Sequence, residues 1–158
     1  AIARRLRPSL LDDLGLAAAI EWMARDVAGR AGLQVEVTAA ELGRLPETLA
    51  TGAYRITQEA VTNVVRHAGA RTITLDLRRD AGELRLTIGD DGLGLTNAGT
   101  ASTSLGMLGM RERAEELGGS IDWETGAAGG TQVRVRLPLA DTAGEDAAPD
   151  ADRQEQTS

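Results

Sequence analysis

Lysine and cysteine are both absent from this sequence of 158 residues, and all 17 basic residues are arginine. Without lysine there is no Walker-type phosphate loop, whose ammonium group reaches the β- and γ-phosphates. Without cysteine there is neither a disulfide framework nor a thiolate metal site, which fits a reducing compartment. Phenylalanine is missing as well, and Trp22, Tyr54 and Trp123 are the only aromatic residues. The core must therefore be aliphatic, and a base-stacking nucleic-acid platform is disfavoured. No apolar run approaches the length of a membrane span and no signal-peptide pattern is visible, so no direct membrane contact is expected of this sequence. His67 is the single histidine. It has no second His or Cys with which to build a metal site, and a lone histidine near a helix end more often caps or packs than catalyses.

The net charge of −7 is unevenly placed. Residues 140–158 hold six acids and one arginine, or −5, while residues 1–139 hold 18 acids and 16 arginines, or −2. The body is thus near neutral, without the basic footprint that a nucleic-acid partner requires. The length suits one domain with a real core. The acidic end, low in apolar residues, is expected to be disordered.

Residues 1–7 read as the last turns of a helix that Pro8 stops, so that the chain begins within an element. A second helical stretch, 14–30, carries Leu16, Ala19, Ile20, Met23 and Val27 on one face. Residues 33–37 alternate as a half-buried strand does. Pro46 suits the first turn of a helix running to about His67, with Ala53, Ile56, Ala60 and Val64 as its apolar face. Alternation predicts strands over 72–77 and 84–88, joined by the turn Asp80-Ala81-Gly82. Residues 95–104 are small and polar and are expected to form a mobile loop. A helix over about 105–117 ends at Gly118-Gly119, and 121–124 with 132–137 form a closing hairpin through 126–130. The expected class is α+β: a two-layer α/β sandwich whose mixed, mainly antiparallel sheet is covered by helices on one face.

Chemistry concentrates in four places. Glu59, Asn63 and Arg66/His67 recur at helical spacing beside the apolar face, lining up a carboxylate, an amide and nitrogen donors. Such a stripe is either a solvated polar face or a Mg²⁺-phosphate site. Asn63 is a mediocre helix former among the β-branched Val61, Thr62, Val64 and Val65, which weighs against mere solvation. Asp90-Asp91-Gly92-Leu93-Gly94 directly follows a strand. It is either an Asp-Gly turn or a site where Asp90 accepts an exocyclic amine such as adenine N6, with Gly92 and Gly94 admitting the ligand to the backbone. Ser104-Leu105-Gly106-Met107-Leu108-Gly109 opens a helix, either as a Ser-capped start packed closely at its glycines or as a phosphate-binding N-terminus. Arg111, Glu112 and Arg113 follow as a charged face or a phosphate and partner contact, and Gly129-Gly130-Thr131 by itself reads as a hairpin turn.

In order and spacing these segments resemble the sensor histidine kinases. Gln58, Glu59, Asn63, Arg66 and His67 are similar to their N box, Asp90-Asp91-Gly92-Leu93-Gly94 to their G1 box, and Gly106 to Arg113 to their G2 box. Gly130-Thr131 matches the closing glycine-threonine. Arg7 to Leu16 is similar to the junction between dimerisation helix and ATPase domain in the nitrate-sensor and desaturase-thermosensor subfamily. The resemblance covers about residues 4–139. It implies the Bergerat ATP-binding fold shared with gyrase, Hsp90 and mismatch-repair ATPases, with residues 1–13 as the end of the dimerisation helix, 14–139 as the ATP-binding catalytic domain and 140–158 as the acidic tail.

The resemblance also implies roles. Asn63 would ligate Mg²⁺ bridging the ATP phosphates. Glu59 would be catalytic, in the metal's outer shell or polarising the reacting phosphate. Arg66 and His67 would contact phosphate or ribose. Asp90 would bind adenine N6, Gly92 and Gly94 would shape the pocket, Gly106, Met107 and Gly109 would line the phosphate turn, and Thr131 would support the adenine end. Residues 95–104 would be the ATP lid. Ser104 departs from the pattern, standing where many relatives have the first glycine of the G2 box. No His-acidic phospho-acceptor pair is present, so the sequence is expected to bind Mg-ATP without a histidine of its own to phosphorylate. The implied partners are the kinase's own dimerisation domain, in a homodimer, and a response regulator, in the bacterial cytoplasm. The alternatives are an anti-sigma-factor serine kinase of the same fold, or a degenerate interaction module that keeps the fold without ATP.

Overall fold

The computed structural model describes residues 2–92, 101–126 and 129–139. Its elements run α1 (Ile2–Arg30), β1 (Gln34–Ala39), α2 (Glu47–Asn63), a π turn (Val64–Ala68), β2 (Thr72–Asp80), β3 (Glu83–Asp90), α3 (Ala101–Glu116), β4 (Ser120–Thr125) and β5 (Thr131–Pro138). The sheet order is β1-β2-β3-β5-β4. β1 and β2 are parallel and joined by the α2 crossover, and every other pairing is antiparallel. This is the expected mixed, mainly antiparallel sheet.

Period-two alternation decides which face is covered. Ile73, Leu75 and Leu77 of β2, Leu84, Leu86 and Ile88 of β3, and Val133, Val135 and Leu137 of β5 are all buried. The register stacks them into rows, Leu75 beside Ile88 beside Val133, and Leu77 beside Leu86 beside Val135. The helices supply the other half of the core through Ile20 and Met23 of α1, Ile56, Ala60 and Val61 of α2, and Met110 and Ala114 of α3. Tyr54 is its one aromatic member, whereas Trp22 is 55% exposed. The opposite sheet face carries charged residues held in ion pairs, Arg78 with Asp76, Arg85 with Glu83 and Arg134 with Glu124.

Turn chemistry fits these elements. Ala81 (φ 53°) and Gly82 (φ 77°) form the two-residue β2–β3 turn, the left-handed pair that a right-twisted hairpin needs. α3 ends in a Schellman motif, with Gly118 N–H donating to the Glu115 carbonyl and Gly119 N–H to that of Ala114. Two glycines admit close approach: a Cβ on Gly52 would meet Leu117 at 2.5 Å, and one on Gly119 would lie 3.0 Å from the Arg136 carbonyl carbon.

Three expectations need correcting. Pro8 does not stop the first helix, which continues until Gly15 breaks it at φ 84°. Proline forfeits one hydrogen bond and is carried through, whereas that φ is open at little strain only to glycine. Residues 101–104, expected in the loop, belong to α3, so Ser104 to Gly109 lie inside that helix and do not open it as expected. α2 does not reach His67 as regular α-helix, because the chain widens into the π turn after Asn63 and ends at left-handed Gly69 (φ 62°). The expectations for residues 95–100 and for the 140–158 tail fall outside the described residues. Among the described residues no helix is long and apolar enough to cross a membrane.

Candidate functional site

Two groups of polar residues gather on the helix-covered side of the sheet. The first is built between helices. Glu59 and Asn63 sit one turn apart on α2, both half-buried. α3 packs against α2 with Gly106 facing them. A Cβ on Gly106 would lie 2.7 Å from Glu59 Oε2, 3.2 Å from Asn63 Nδ2 and 3.4 Å from Asn63 Oδ1. A side chain at this position would crowd the cradle, and two hard oxygen donors border it. Among the described residues there is no group of three or more His, Cys, Asp or Glu able to hold a metal. A cation here would therefore take few protein oxygens and fill its shell with phosphate and water, as Mg²⁺ does in nucleotide sites. The donor set fits Mg²⁺.

The second group is built at the sheet's end. Asp90 closes β3 in the same helix-facing column as Leu84, Leu86 and Ile88. Its Oδ1 accepts the N–H of Gly92 at 2.7 Å and that of Thr131, the first residue of β5, at 3.4 Å. Burial pushes its carboxyl above the ordinary aspartate range, and those two N–H bonds pull against the shift. Gly130 packs so closely that a Cβ there would lie 2.5 Å from Asp90 Oδ1 and 2.6 Å from the Asp90 carbonyl carbon. Oδ1 is thus committed within the chain, while among the described residues nothing donates to Oδ2. A half-buried carboxylate whose second oxygen accepts nothing from the described residues can accept a ligand's amine.

The remaining sequence candidates fall as follows. Gly92 and Thr131 are in the Asp90 group through their N–H bonds. Arg66 is exposed in the π turn, off the α-helical line from Glu59 to Asn63. His67 lies in the same turn, its side chain outside the description, and Gly94 is outside the described residues altogether. Met107 is half-buried against the core. Of the two glycines read as close-packing, Gly106 is so placed, while among the described residues nothing lies within 4 Å of the Cβ position of Gly109.

Sequence reasoning did not single out Asp91. Its Oδ1 accepts the N–H of Arg71 at 2.8 Å and of Thr72 at 3.0 Å. The bonds from Thr72 and then Arg71 hold this exposed carboxyl below the ordinary range. The signal was an Asp immediately after Asp90; its partners, some twenty positions earlier, carry no side-chain mark. A hollow of about 530 Å³ lies on the other face of the sheet and is lined by the ion-paired arginines. Its lining residues Thr74 and Gln132 also line a smaller hollow of about 350 Å³, which Asp90, Asp91 and Thr131 border.

The chain has relatives among known proteins. The chain is 35% identical to the sensor histidine kinase MctS of Rhizobium johnstonii over 87% of its own length and 30% of the relative's. It is 35% identical to the sensor histidine kinase YxjM of Bacillus subtilis, over 78% of this chain and 30% of that one. The chain therefore spans about three tenths of these curated relatives. The fold matches the blue-light activated histidine kinase EL346 of Erythrobacter litoralis with a TM-score of 0.68 at 24% identity, covering 82% of this chain and 43% of that one. Residues 48–141 match HATPase_c, and the chain belongs to that family, the histidine kinase-, DNA gyrase B- and HSP90-like ATPases.

Proposed function

We propose that this chain is the ATP-binding catalytic domain of a two-component sensor histidine kinase, holding Mg-ATP for phosphoryl transfer to a histidine on the kinase's dimerisation domain and onward to a response regulator. One observation carries the reading: Gly106 of α3 lies against Glu59 and Asn63 of α2, so two motifs more than forty residues apart meet at a single oxygen-lined cradle. In this reading residues 14–139 are the catalytic domain, 1–13 the junction with the dimerisation helix and 140–158 an acidic tail. The kinase works in the bacterial cytoplasm as a homodimer. An anti-sigma-factor kinase or a degenerate module is less favoured, because the relatives named above are sensor kinases and both polar groups are intact.

Asn63 would hold the metal, and Glu59 beside it would support the bound metal or polarise the reacting phosphate. Mg²⁺, when bound, neutralises charge on the phosphates, and the chain contributes positioning and a fixed electrostatic field. Asp90 Oδ2 accepts the adenine amine, while Gly92 and Thr131, hydrogen-bonded to Oδ1, keep the carboxylate turned toward it. Gly92 and Gly94 shape the pocket wall, Gly106, Met107 and Gly109 lie on the phosphate side from within α3, and Arg66 and His67 reach phosphate or ribose.

The chain should bind ATP only with Mg²⁺ present. Asn63→Ala and Asp90→Ala should each weaken binding about tenfold or more, on the order of 1.4 kcal/mol. Calorimetric titration of the three proteins is the test. Equal affinity in all three, or none in the parent, overturns the site.

Asp90 also predicts a pH dependence. Its carboxylate must be ionised to accept the amine, and burial raises the pH at which it takes up a proton. Affinity should therefore fall on acidification before an ordinary aspartate would titrate, and this component should vanish in Asp90→Asn. Parallel pH titrations of parent and variant check it, and identical profiles would contradict the assignment.

A further inference from the structure

The residue after Asp90 has a separate task. Asp90 is the last residue of β3, and its direction depends on how the following turn leaves the sheet. Asp91 ties that turn down. Its Oδ1 accepts two backbone N–H groups from the neighbouring strand's entry, Arg71 at 2.8 Å and Thr72 at 3.0 Å. Thr72 opens β2, and Ile73 pairs directly with Asp90. The Asp91 carboxylate therefore extends the β2–β3 ladder by one step past its backbone pairing. It holds the Asp90–Gly92 turn against a rigid element, and with it the Gly92 N–H that orients Asp90 Oδ1 at 2.7 Å. Asp91 is exposed, so burial does not explain it. A solvated carboxylate that spends one oxygen on two backbone donors restrains the backbone.

We infer that Asp91 is a positioning residue for base recognition: by clamping the turn to the start of β2 it fixes the carboxylate of Asp90 and so sets the preference for adenine over a base with a carbonyl at that position. The inference rests on the reading of Asp90 as the adenine acceptor, and it deepens that reading. Asp91 itself touches no part of the nucleotide. Its effect passes through Asp90, and it requires an acceptor oxygen on a short side chain rather than a negative charge.

The test compares ATP and GTP binding to the parent chain and to Asp91→Ala, Asp91→Asn and Asp90→Ala by calorimetry, with the unfolding temperature of each protein. Asp91→Ala should weaken ATP about fivefold and leave GTP within about twofold, so discrimination shrinks. Asp91→Asn keeps the acceptor oxygen and should retain ATP affinity within about twofold. Should the alanine protein fail to fold, Asp91→Ser, too short to span both donors, takes its place. Asp91→Ala that lowers the unfolding temperature but leaves the ATP-to-GTP ratio unchanged overturns the inference, as does Asp91→Asn behaving like alanine. Unchanged ATP affinity in Asp90→Ala defeats the adenine reading itself, whereas loss there with no loss of discrimination in Asp91→Ala defeats only the positioning role.

Discussion

Gly130→Ala is expected to lower stability by about 1–3 kcal/mol, the usual effect of forcing an extra methyl into a filled site, and to weaken ATP binding about tenfold or more. The added Cβ would sit 2.5 Å from Asp90 Oδ1 and 2.6 Å from the Asp90 carbonyl carbon, and nearer still to the carbonyl oxygen. A flexible side chain would swing away, but two of these three atoms are backbone. β3 and β5 must therefore separate at this end. Separation stretches the bond from Thr131 N–H to Asp90 Oδ1, already 3.4 Å, and frees the carboxylate to turn. Gly126→Ala is the control in the same turn, since among the described residues its Cβ would approach nothing nearer than the Gly130 carbonyl oxygen at 3.7 Å, an ordinary contact. Thermal unfolding and ATP titration of both proteins decide the matter: Gly130→Ala should melt several degrees lower and lose affinity, and Gly126→Ala should do neither. Two indistinguishable variants would mean that the glycine serves the turn and not Asp90.

This contrast shows what the sequence could disclose. Gly130 and Gly126 look alike in a glycine-rich hairpin, and only the β3–β5 register, which puts Gly89 beside Gln132, brings Gly130 against Asp90. The resemblance to a known motif flagged Gly130-Thr131, but its physical reason was not legible from local pattern. Period-two alternation placed β2, β3 and β5 because both faces of each strand have different solvents. Period-3.6 spacing placed α2 because its buried stripe, Ala53, Ile56, Ala60 and Val64, is uninterrupted. What escaped was set by backbone geometry or long-range packing. The helix break moved from Pro8 to Gly15, since a proline's missing N–H can be absorbed and a left-handed φ cannot. The π turn after Asn63 is a change of hydrogen-bond register with no composition of its own. Asp91 acts on backbone N–H groups, which every residue but proline has. The candidate site was legible as separate motifs, and the meeting of Gly106 with Glu59 and Asn63 supplied their common place.

Glu59→Gln should separate binding from catalysis. Glutamine has the same length and helix preference as glutamate, and it keeps an oxygen facing the Gly106 cradle, so Mg-ATP affinity should stay within about threefold of the parent. It loses the charge. If Glu59 polarises the reacting phosphate or orders the metal's outer shell, that charge matters most as the phosphoryl group moves. Transfer should then fall about a hundredfold, the lower range for removing a positioned acid–base group. The assay supplies the histidine-bearing dimerisation domain in trans and follows its phosphorylation from labelled ATP at saturating nucleotide. Asn63→Ala should lose binding first and recover part of its rate at high Mg-ATP, because its defect is in holding the nucleotide. Glu59→Gln should not recover at any concentration. A variant whose rate and affinity fall by the same factor would make Glu59 a second binding residue. A variant that transfers at the parent's rate would leave the carboxylate as a solvated neighbour of Asn63, and the catalytic group would have to be sought on the acceptor's own helix.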